Sequence, residues 1–205
     1  MKHKIDTVIF DLGGVLVDWD PIYVFKDVFK GDEEKLDFFL SSVCNHDWNI
    51  EQDAGRTIQE AVAIKTKEFP EFTTEIHLFY EKWHLMFSGV FQENVALLQQ
   101  FKANSYKVFA LTNWSAETWP RALELFPFFN DFDGVIVSGI EKMRKPFEPI
   151  YRLILTRFEI DPLKAIFIDD KLENIEAANK IGLHGIHYKS HKELVLQLKN
   201  FQMKF

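Results

Sequence analysis

The sequence predicts an α/β fold of three layers, in which helices cover both faces of a parallel sheet and a helical domain is inserted after the first strand. Three observations predict this fold. Five short apolar runs end in polar or glycine-rich turns, helical stretches separate the later runs, and about ninety residues separate the first run from the second. Strands that alternate with amphipathic helices are typical of a βαβ sheet.

The five apolar runs are expected to be the strands of this sheet. Their hydrophobicity is continuous instead of alternating, as in strands that are buried on both faces. The runs are "TVIFD" (Thr7 to Asp11), "VFALTN" (Val108 to Asn113), "GVIVS" (Gly134 to Ser138), "AIFIDD" (Ala165 to Asp170) and "GIHY" (Gly185 to Tyr188).

The long segment after the first run is predicted to be a helical insertion, because a βα connection of that length is far outside the usual range. Asp20 and Pro21 read as an N-cap followed by proline at the first helical position. "TIQE" from Thr57 to Glu60 fits a capping box, and another helix is expected from near Thr74 to about Phe87. No strand is expected in this segment. The predicted domains are a core of residues 1–17 and 91–205 and a cap of residues 18–90.

Composition excludes several classes of function. With 31 acidic and 24 basic residues, the chain has a net charge of -7, which argues against a nucleic-acid partner. The single cysteine, Cys44, excludes an internal disulfide and a cysteine-based zinc site. There is no signal-peptide pattern and no long apolar run, so we expect a cytoplasmic protein with no membrane partner. The amphipathic C-terminal segment is expected to pack on the sheet, in a monomer or weak dimer.

Polar residues follow the predicted strands where those strands end. They are Asp11, Thr112, Asn113, Ser138, Asp169 and Asp170. Each one alone is readily explained as a turn former or a helix N-cap. Ligands of open parallel sheets bind beyond the carboxyl ends of the strands, however, so together these residues predict a binding site.

The carboxylates of this set predict a divalent metal ion. Asp11, Asp169 and Asp170 would repel one another at two strand ends unless a cation lay between them, and Mg²⁺ prefers carboxylates completed by water and phosphate oxygens. The carbonyl of Gly13 could supply a further oxygen ligand. Lys145 could neutralise phosphate charge, and Thr112 offers a hydroxyl to phosphate oxygens.

Four stretches resemble, in order and spacing, the four motifs of the haloacid dehalogenase superfamily in its subgroup with a helical cap. They are "FDLGGVL", "LTN", "RKP" and "FIDDKLENIEAA". The resemblance implies a Rossmann-like core with strand order 3-2-1-4-5. It also implies phosphoryl transfer from a small phosphorylated metabolite through an aspartyl-phosphate.

The resemblance also implies the roles of individual residues. Asp11 would be the nucleophile, Thr112 and Asn113 would hold phosphate oxygens, and Lys145 would bridge the nucleophile and the phosphoryl group. Asp11, Gly13, Asp169 and Asp170 would hold Mg²⁺, and the sequence leaves open which of the two adjacent aspartates binds the metal directly. A 2-haloacid dehalogenase is the rival activity, but such members typically lack the paired acidic residues.

The sequence departs from the superfamily at Gly13, where most of its phosphatases carry the aspartate that acts as general acid and base. Three interpretations remain open: a non-catalytic protein that binds a phosphorylated ligand, another acid such as Asp18, or a substrate whose leaving group needs little protonation. The "DLG" variant resembles sugar-1-phosphate phosphatases and the phosphatase domain of some epoxide hydrolases. The third interpretation therefore predicts a hexose phosphate such as glucose 1-phosphate.

Substrate specificity is expected to lie in the cap, which closes over such sheets. Trp48 and Asp53 lie in the segment "NHDWNIEQDAGRT", where an aromatic ring and hydrogen-bonding groups would suit a sugar. The alternative is that this segment only connects two helices and that Trp48 packs in the core of the cap.

Overall fold

The fold was derived from a computed structural model, which describes residues 4–205. Its strands, numbered along the chain, are β1 (Thr7–Phe10), β2 (Val17–Trp19), β3 (Phe87–Val90), β4 (Lys107–Thr112), β5 (Gly134–Val137), β6 (Ala165–Asp169) and β7 (His184–His187). Its α-helices are α1 (Ile22–Val28), α2 (Glu33–Phe38), α3 (His46–Asp53), α4 (Ile58–Glu68), α5 (Thr73–Glu81), α6 (Gln92–Ala103), α7 (Trp119–Leu125), α8 (Ser138–Glu141), α9 (Glu148–Arg157), α10 (Leu172–Lys180) and α11 (His191–Asn200).

Five strands form one parallel sheet in the order β5-β4-β1-β6-β7. Counted among themselves along the chain, these strands have the order 3-2-1-4-5, so the predicted fold class and strand order are confirmed. Each strand begins and ends within one residue of its predicted apolar run. The central strand β1 pairs with β4 on one side and β6 on the other, with Phe10 opposite Ala110 and Ile168. The carboxyl ends of these three strands therefore lie side by side.

The inserted segment contains α1–α5, as predicted, but also two strands that were not. β2 and β3 pair antiparallel where the chain leaves the sheet and where it returns to it. The expectation of no strand was wrong because three or four residues are too few to show an apolar pattern. The helix expected to reach Phe87 ends at Glu81, followed by a 3₁₀ turn at Trp83–Leu85. The domain boundaries at residues 17/18 and 90/91 stay a prediction.

Of the two predicted helix starts in the insertion, the capping box is confirmed, whereas α1 begins at Ile22 with Pro21 at the N-cap position, one residue later than predicted. The carboxylate of Asp20 accepts a hydrogen bond from the N–H of Ile22 at 2.8 Å. Thr57 and Glu60 form a reciprocal capping box at the start of α4. These contacts satisfy N–H groups that have no partner within the helix.

Apolar packing holds the cap on the sheet. One cluster of buried side chains runs from one face of the sheet into the insertion, and a smaller cluster fills the other face. Within the cap, Phe25 lies 4.7 Å from Phe39 and 5.8 Å from Phe79, measured between ring centres. The C-terminal helix α11 buries Leu194 and Leu198 in the larger cluster, as expected. Over residues 4–205, none of the helices combines the length and apolarity that crossing a bilayer requires.

We predict that Phe25→Ala destabilises the protein by about 3–5 kcal/mol, because the ring is fully buried among other aromatic rings and its removal leaves a cavity. Phe38→Ala, at a position that is 44 % exposed, is the matched control and should cost about 1 kcal/mol. Urea denaturation of the two variants measures the difference. Equal losses would show that the buried aromatic cluster does not stabilise the cap.

Candidate active site

The site is organised by Lys145, whose ammonium group is buried between two carboxylates. Its Nζ lies 2.9 Å from Oδ1 of Asp11, which follows β1, and 2.7 Å from Oδ2 of Asp169, which ends β6. It also donates to the carbonyl of Leu111 in β4 at 2.9 Å. One side chain thus joins the ends of three neighbouring strands.

Burial and charge oppose each other in this cluster. Burial alone would lower the pKa of Lys145, but the charges of Asp11 and Asp169 outweigh it, so this pKa lies above its ordinary value. Burial raises the pKa of Asp11 well above its ordinary value, and Lys145 acts against that change. The ammonium of Lys145 thus offsets part of the cost of burying the two carboxylates.

Asn113 fixes the backbone that carries Lys145. Its side-chain amide donates to the carbonyl of Lys145 at 3.0 Å and accepts from the N–H of Lys145 at 2.9 Å. These two hydrogen bonds hold the loop after α8 against the end of β4. Ser138 has a similar supporting role, since its hydroxyl accepts from the N–H of Trp114 at 2.9 Å.

The adjacent aspartates have different surroundings. Asp169 is fully buried, and its oxygens accept hydrogen bonds from Lys145, Asn174 and the N–H of Lys171. Asp170 is half-buried and lines the cavity described below, with its Oδ2 at 2.9 Å from Nζ of Lys171. Asp11, Asp169 and Asp170 each offer an oxygen within 4.8 Å of the others. This donor set, all carboxylate oxygens, suits a hard divalent cation.

The two glycines after Asp11 meet different constraints. Gly14 has φ of +70°, and a Cβ built there would lie 2.8 Å from the carboxylate of Asp170. Only glycine fits this position without strain. At Gly13, by contrast, a Cβ would meet no heavy atom of residues 4–205 within 4 Å, and the backbone is outside the left-handed region.

A cavity of about 460 Å³ separates the end of the sheet from the cap. Its floor is polar, and its wall carries many aromatic and aliphatic side chains. The predicted site residues that line it are Asp11, Gly13, Asp53, Asn113, Lys145 and Asp170. Thr112, Asp169 and Trp48 do not line it.

Two predicted ligand-binding residues are buried instead. Trp48 packs in the core of the cap, with its indole N–H donating to the carbonyl of Ala61 at 3.3 Å and its ring beside Phe79. This position matches the structural alternative for Trp48 and leaves no exposed ring face for a sugar. The hydroxyl of Thr112 is buried at the end of β4 and has no hydrogen-bond partner among the described residues.

Sequence reasoning missed Asn174, which donates to both oxygens of Asp169 at 2.9 and 3.0 Å. Its spacing of five residues from Asp169, within "DDKLEN", was the available signal. The aromatic wall was missed as well. This wall consists of Trp19, Phe79, Tyr80, Trp83 and Trp114. These residues come from separate segments, and nothing in the local sequence distinguishes them from other core residues.

Comparison with known proteins identifies related sequences and folds. A family model described as haloacid dehalogenase-like hydrolase matches residues 5–182. The sesquiterpene phosphatase astK of Aspergillus oryzae is 26% identical over 199 residues, which cover 94% of each chain. A phosphorylated carbohydrates phosphatase of Thermotoga maritima is 26% identical over 89% of this chain and 84% of its own. The crystal structure of the HAD family enzyme bt-2542 of Bacteroides thetaiotaomicron, a magnesium complex, has a TM-score of 0.74 at 23% identity and covers 96% of this chain and 100% of that one.

We predict that Gly14→Ala lowers the melting temperature by about 2–8 °C, since a left-handed alanine costs about 1–2 kcal/mol. The new methyl group would also press against Asp170. Gly13→Ala is the control and should leave the melting temperature unchanged or raise it slightly. Thermal unfolding followed by circular dichroism measures both, and equal tolerance of the two substitutions would contradict the described geometry.

Proposed function

Because the chain belongs to the haloacid dehalogenase-like hydrolase family, we propose that it is a magnesium-dependent phosphatase of small phosphorylated metabolites, with Asp11 as the nucleophile. One observation carries the proposal. Asp11, Lys145 and the acidic pair, which are far apart in the sequence, meet at one end of the sheet beneath a cavity of about 460 Å³. A cavity of this size is sufficient for a small organic phosphate.

Asp11 attacks the phosphorus atom in this proposal. Its Oδ1 accepts hydrogen bonds from the N–H of Leu12 at 2.7 Å and interacts with Lys145, whereas its Oδ2 accepts none from the described residues. Oδ2 is therefore the oxygen available for attack. Lys145 stabilises the negative charge that develops on the phosphoryl group. The backbone after β4, at Asn113 and Trp114, lines the cavity and binds phosphate oxygens, whereas the unpaired hydroxyl of Thr112 is buried behind it.

The acidic cluster supports a magnesium site. Asp11, Asp170 and the carbonyl of Gly13 would hold the ion, since all three residues line the cavity. Asp169 has its oxygens occupied by Lys145, Asn174 and Lys171, so its role is to orient Lys145. Bound Mg²⁺ would neutralise phosphate charge and hold the phosphoryl group in line with the nucleophile.

Two substrate classes are supported by different features. The missing side chain at Gly13 and the carbohydrate-phosphatase relative favour a hexose phosphate such as glucose 1-phosphate. The aromatic wall and the sesquiterpene-phosphatase relative favour the phosphate ester of an apolar alcohol. Polar groups of the lining such as Asn49 and Asp53 could pair with hexose hydroxyls, whereas an apolar group would gain about 25 cal/mol for each Å² that it buries against the aromatic wall.

We predict turnover of 4-nitrophenyl phosphate that stops when EDTA removes the metal and returns when Mg²⁺ is added. Asp11→Asn should lower this activity at least about 10³-fold, because it removes the nucleophile. Asp6→Asn, an exposed residue just before β1, is the matched control. Phosphate binding without turnover in the parent would favour a binding protein. Metal-independent release of chloride from 2-chloropropionate would favour a dehalogenase.

We also predict that farnesyl phosphate has at least a tenfold higher kcat/KM than glucose 1-phosphate and glucose 6-phosphate, because its apolar chain can pack against the aromatic wall. Phosphate release from the three esters under identical conditions measures the ranking. A higher kcat/KM for glucose 1-phosphate than for the other two would overturn the apolar assignment and support the hexose class.

A further inference from the structure

Hydrolysis of an alkyl phosphate needs a proton for the leaving oxygen, and Gly13 has no side chain to supply it. We infer that Asp53 of the cap takes this role, as general acid in the first step and general base in the second. The inference rests on the proposed phosphatase function. It concerns the group that donates and accepts the proton, a role for which the sequence indicated Asp18.

The structure places Asp53 in the wall of the same cavity that Asp11 and Lys145 line. Asp53 is the last residue of α3, and two contacts anchor this end of the helix over the core. The carboxylate of Glu51 lies 3.8 Å from the guanidinium of Arg144. The backbone of Gly55 lies so close to the side chain of Lys142 that a Cβ built at Gly55 would be 2.8 Å from it. The cap helix therefore docks beside the loop that carries Lys145.

A hydrogen-bond network links this end of α3 to the rest of the cap. The guanidinium of Arg56 donates to the side chain of Gln52 and to the carbonyl of Trp48, both at 2.7 Å. Gln52 in turn donates to the hydroxyl of Tyr80 at 2.6 Å. Asp53 takes no part in this network. Arg56, the cation nearest to it in the sequence, bonds to Gln52 and Trp48 instead of to Asp53.

Structural stability does not explain a carboxylate at Asp53. Among residues 4–205, nothing donates a hydrogen bond to its side chain or forms an ion pair with it within 4.0 Å. Its place at the C-terminal end of a helix is electrostatically unfavourable for a negative charge. A half-buried carboxyl without a partner, facing a cavity, is instead typical of a functional group.

The surroundings of Asp53 suit a proton carrier. Burial raises its pKa to about 7, although the positive charges of Lys145 and Arg144 act against this change. Tyr80, Cys44 and His46 are titratable groups of the cap that line the same cavity, and burial keeps the phenol of Tyr80 and the thiol of Cys44 in their neutral forms by raising their pKa values. A carboxyl with a pKa near neutrality is partly protonated at pH 7, as a general acid must be.

The other acidic and titratable residues near the cavity are less suitable. Asp18 does not line it, and its carboxylate accepts hydrogen bonds from Tyr23 and Ser88. Asp20, His46 and Glu173 do line it, but they are exposed. Asp53 is the half-buried carboxyl of the wall outside the metal cluster.

The two proton transfers balance. In the first step the Asp11 oxygen bonds to phosphorus, the bond from phosphorus to the ester oxygen breaks, and the proton of Asp53 moves to that oxygen, so that an alcohol leaves. In the second step water attacks phosphorus, Asp53 takes a proton from the water, and the bond to Asp11 breaks. Inorganic phosphate leaves, and both carboxyl groups return to their starting states.

The test compares Asp53→Asn on two esters that share an aromatic ring. Benzyl phosphate has a leaving group that needs a proton, whereas 4-nitrophenyl phosphate leaves as a stable anion. We expect kcat/KM for benzyl phosphate to fall at least about 10²-fold and that for 4-nitrophenyl phosphate to stay within about threefold. Because the second step also slows, the variant should release a burst of nitrophenol close to one per enzyme.

Matched variants separate proton transfer from structural effects. Asp53→Glu should keep benzyl phosphate hydrolysis within about tenfold, and Asp47→Asn, an exposed aspartate on the same helix, should change neither ester. In the Asp53→Asn background, Gly13→Asp should restore benzyl phosphate hydrolysis at least tenfold, because the site has room for a side chain. Gly13→Asn should not restore it.

Equal losses on the two esters, or a loss under threefold on benzyl phosphate, would overturn the role of Asp53. Restoration by both Gly13 variants, or by neither, would also overturn it. If the parent enzyme hydrolyses neither ester, the proposed function fails and the inference fails with it. Activity in the parent with an unaffected Asp53→Asn variant would overturn the inference alone.

Discussion

The buried ion cluster of Lys145, Asp11 and Asp169 is the interaction on which the site depends. Burying any one of these charges alone would cost several kcal/mol, and burying two carboxylates side by side would cost more. Lys145 compensates both carboxylates at 2.9 and 2.7 Å, and Asn113 holds its backbone in place. Because the cluster joins β1, β4 and β6, the sheet cannot rearrange its order without separating these charges. The charges of the floor therefore favour the strand order that the apolar core also supports.

The cap adds a second constraint, since its contacts determine which side chains face that floor. It is tied to the core by the β2–β3 ribbon, by the buried aromatic cluster and by contacts such as the N–H of Ile58 with Glu117 at 2.6 Å. These contacts leave a cavity with a charged floor and an aromatic wall. In the proposed phosphatase, the core would bind the phosphoryl group that all phosphate esters share, and the cap would contact the part that differs between them.

Most of the fold could be predicted from the sequence, because strands buried on both faces appear as continuous apolar runs. The residues at the strand ends were predictable for the same reason, since parallel strands bring their carboxyl ends together. The β2–β3 ribbon was not predictable, because its strands of three and four residues are too short to show an apolar pattern. The burial of Trp48 and the free carboxylate of Asp53 depend on how α3, α4 and α5 pack against one another, and a single sequence does not specify that packing. Local motifs thus identified the floor of the site, whereas the wall required the structure.

The two adjacent glycines after Asp11 show how sterics and chemistry can be separated. At Gly14 the positive φ and the nearby Asp170 explain the absence of a side chain by themselves. At Gly13 neither reason applies, because the backbone is permissive and the space is open. Steric fit therefore does not account for the absence of an aspartate there, which leaves charge and the reaction as explanations. A proton carrier on the cap would make a carboxylate at position 13 unnecessary, and the floor would then not hold a fourth negative charge beside Asp11, Asp169 and Asp170.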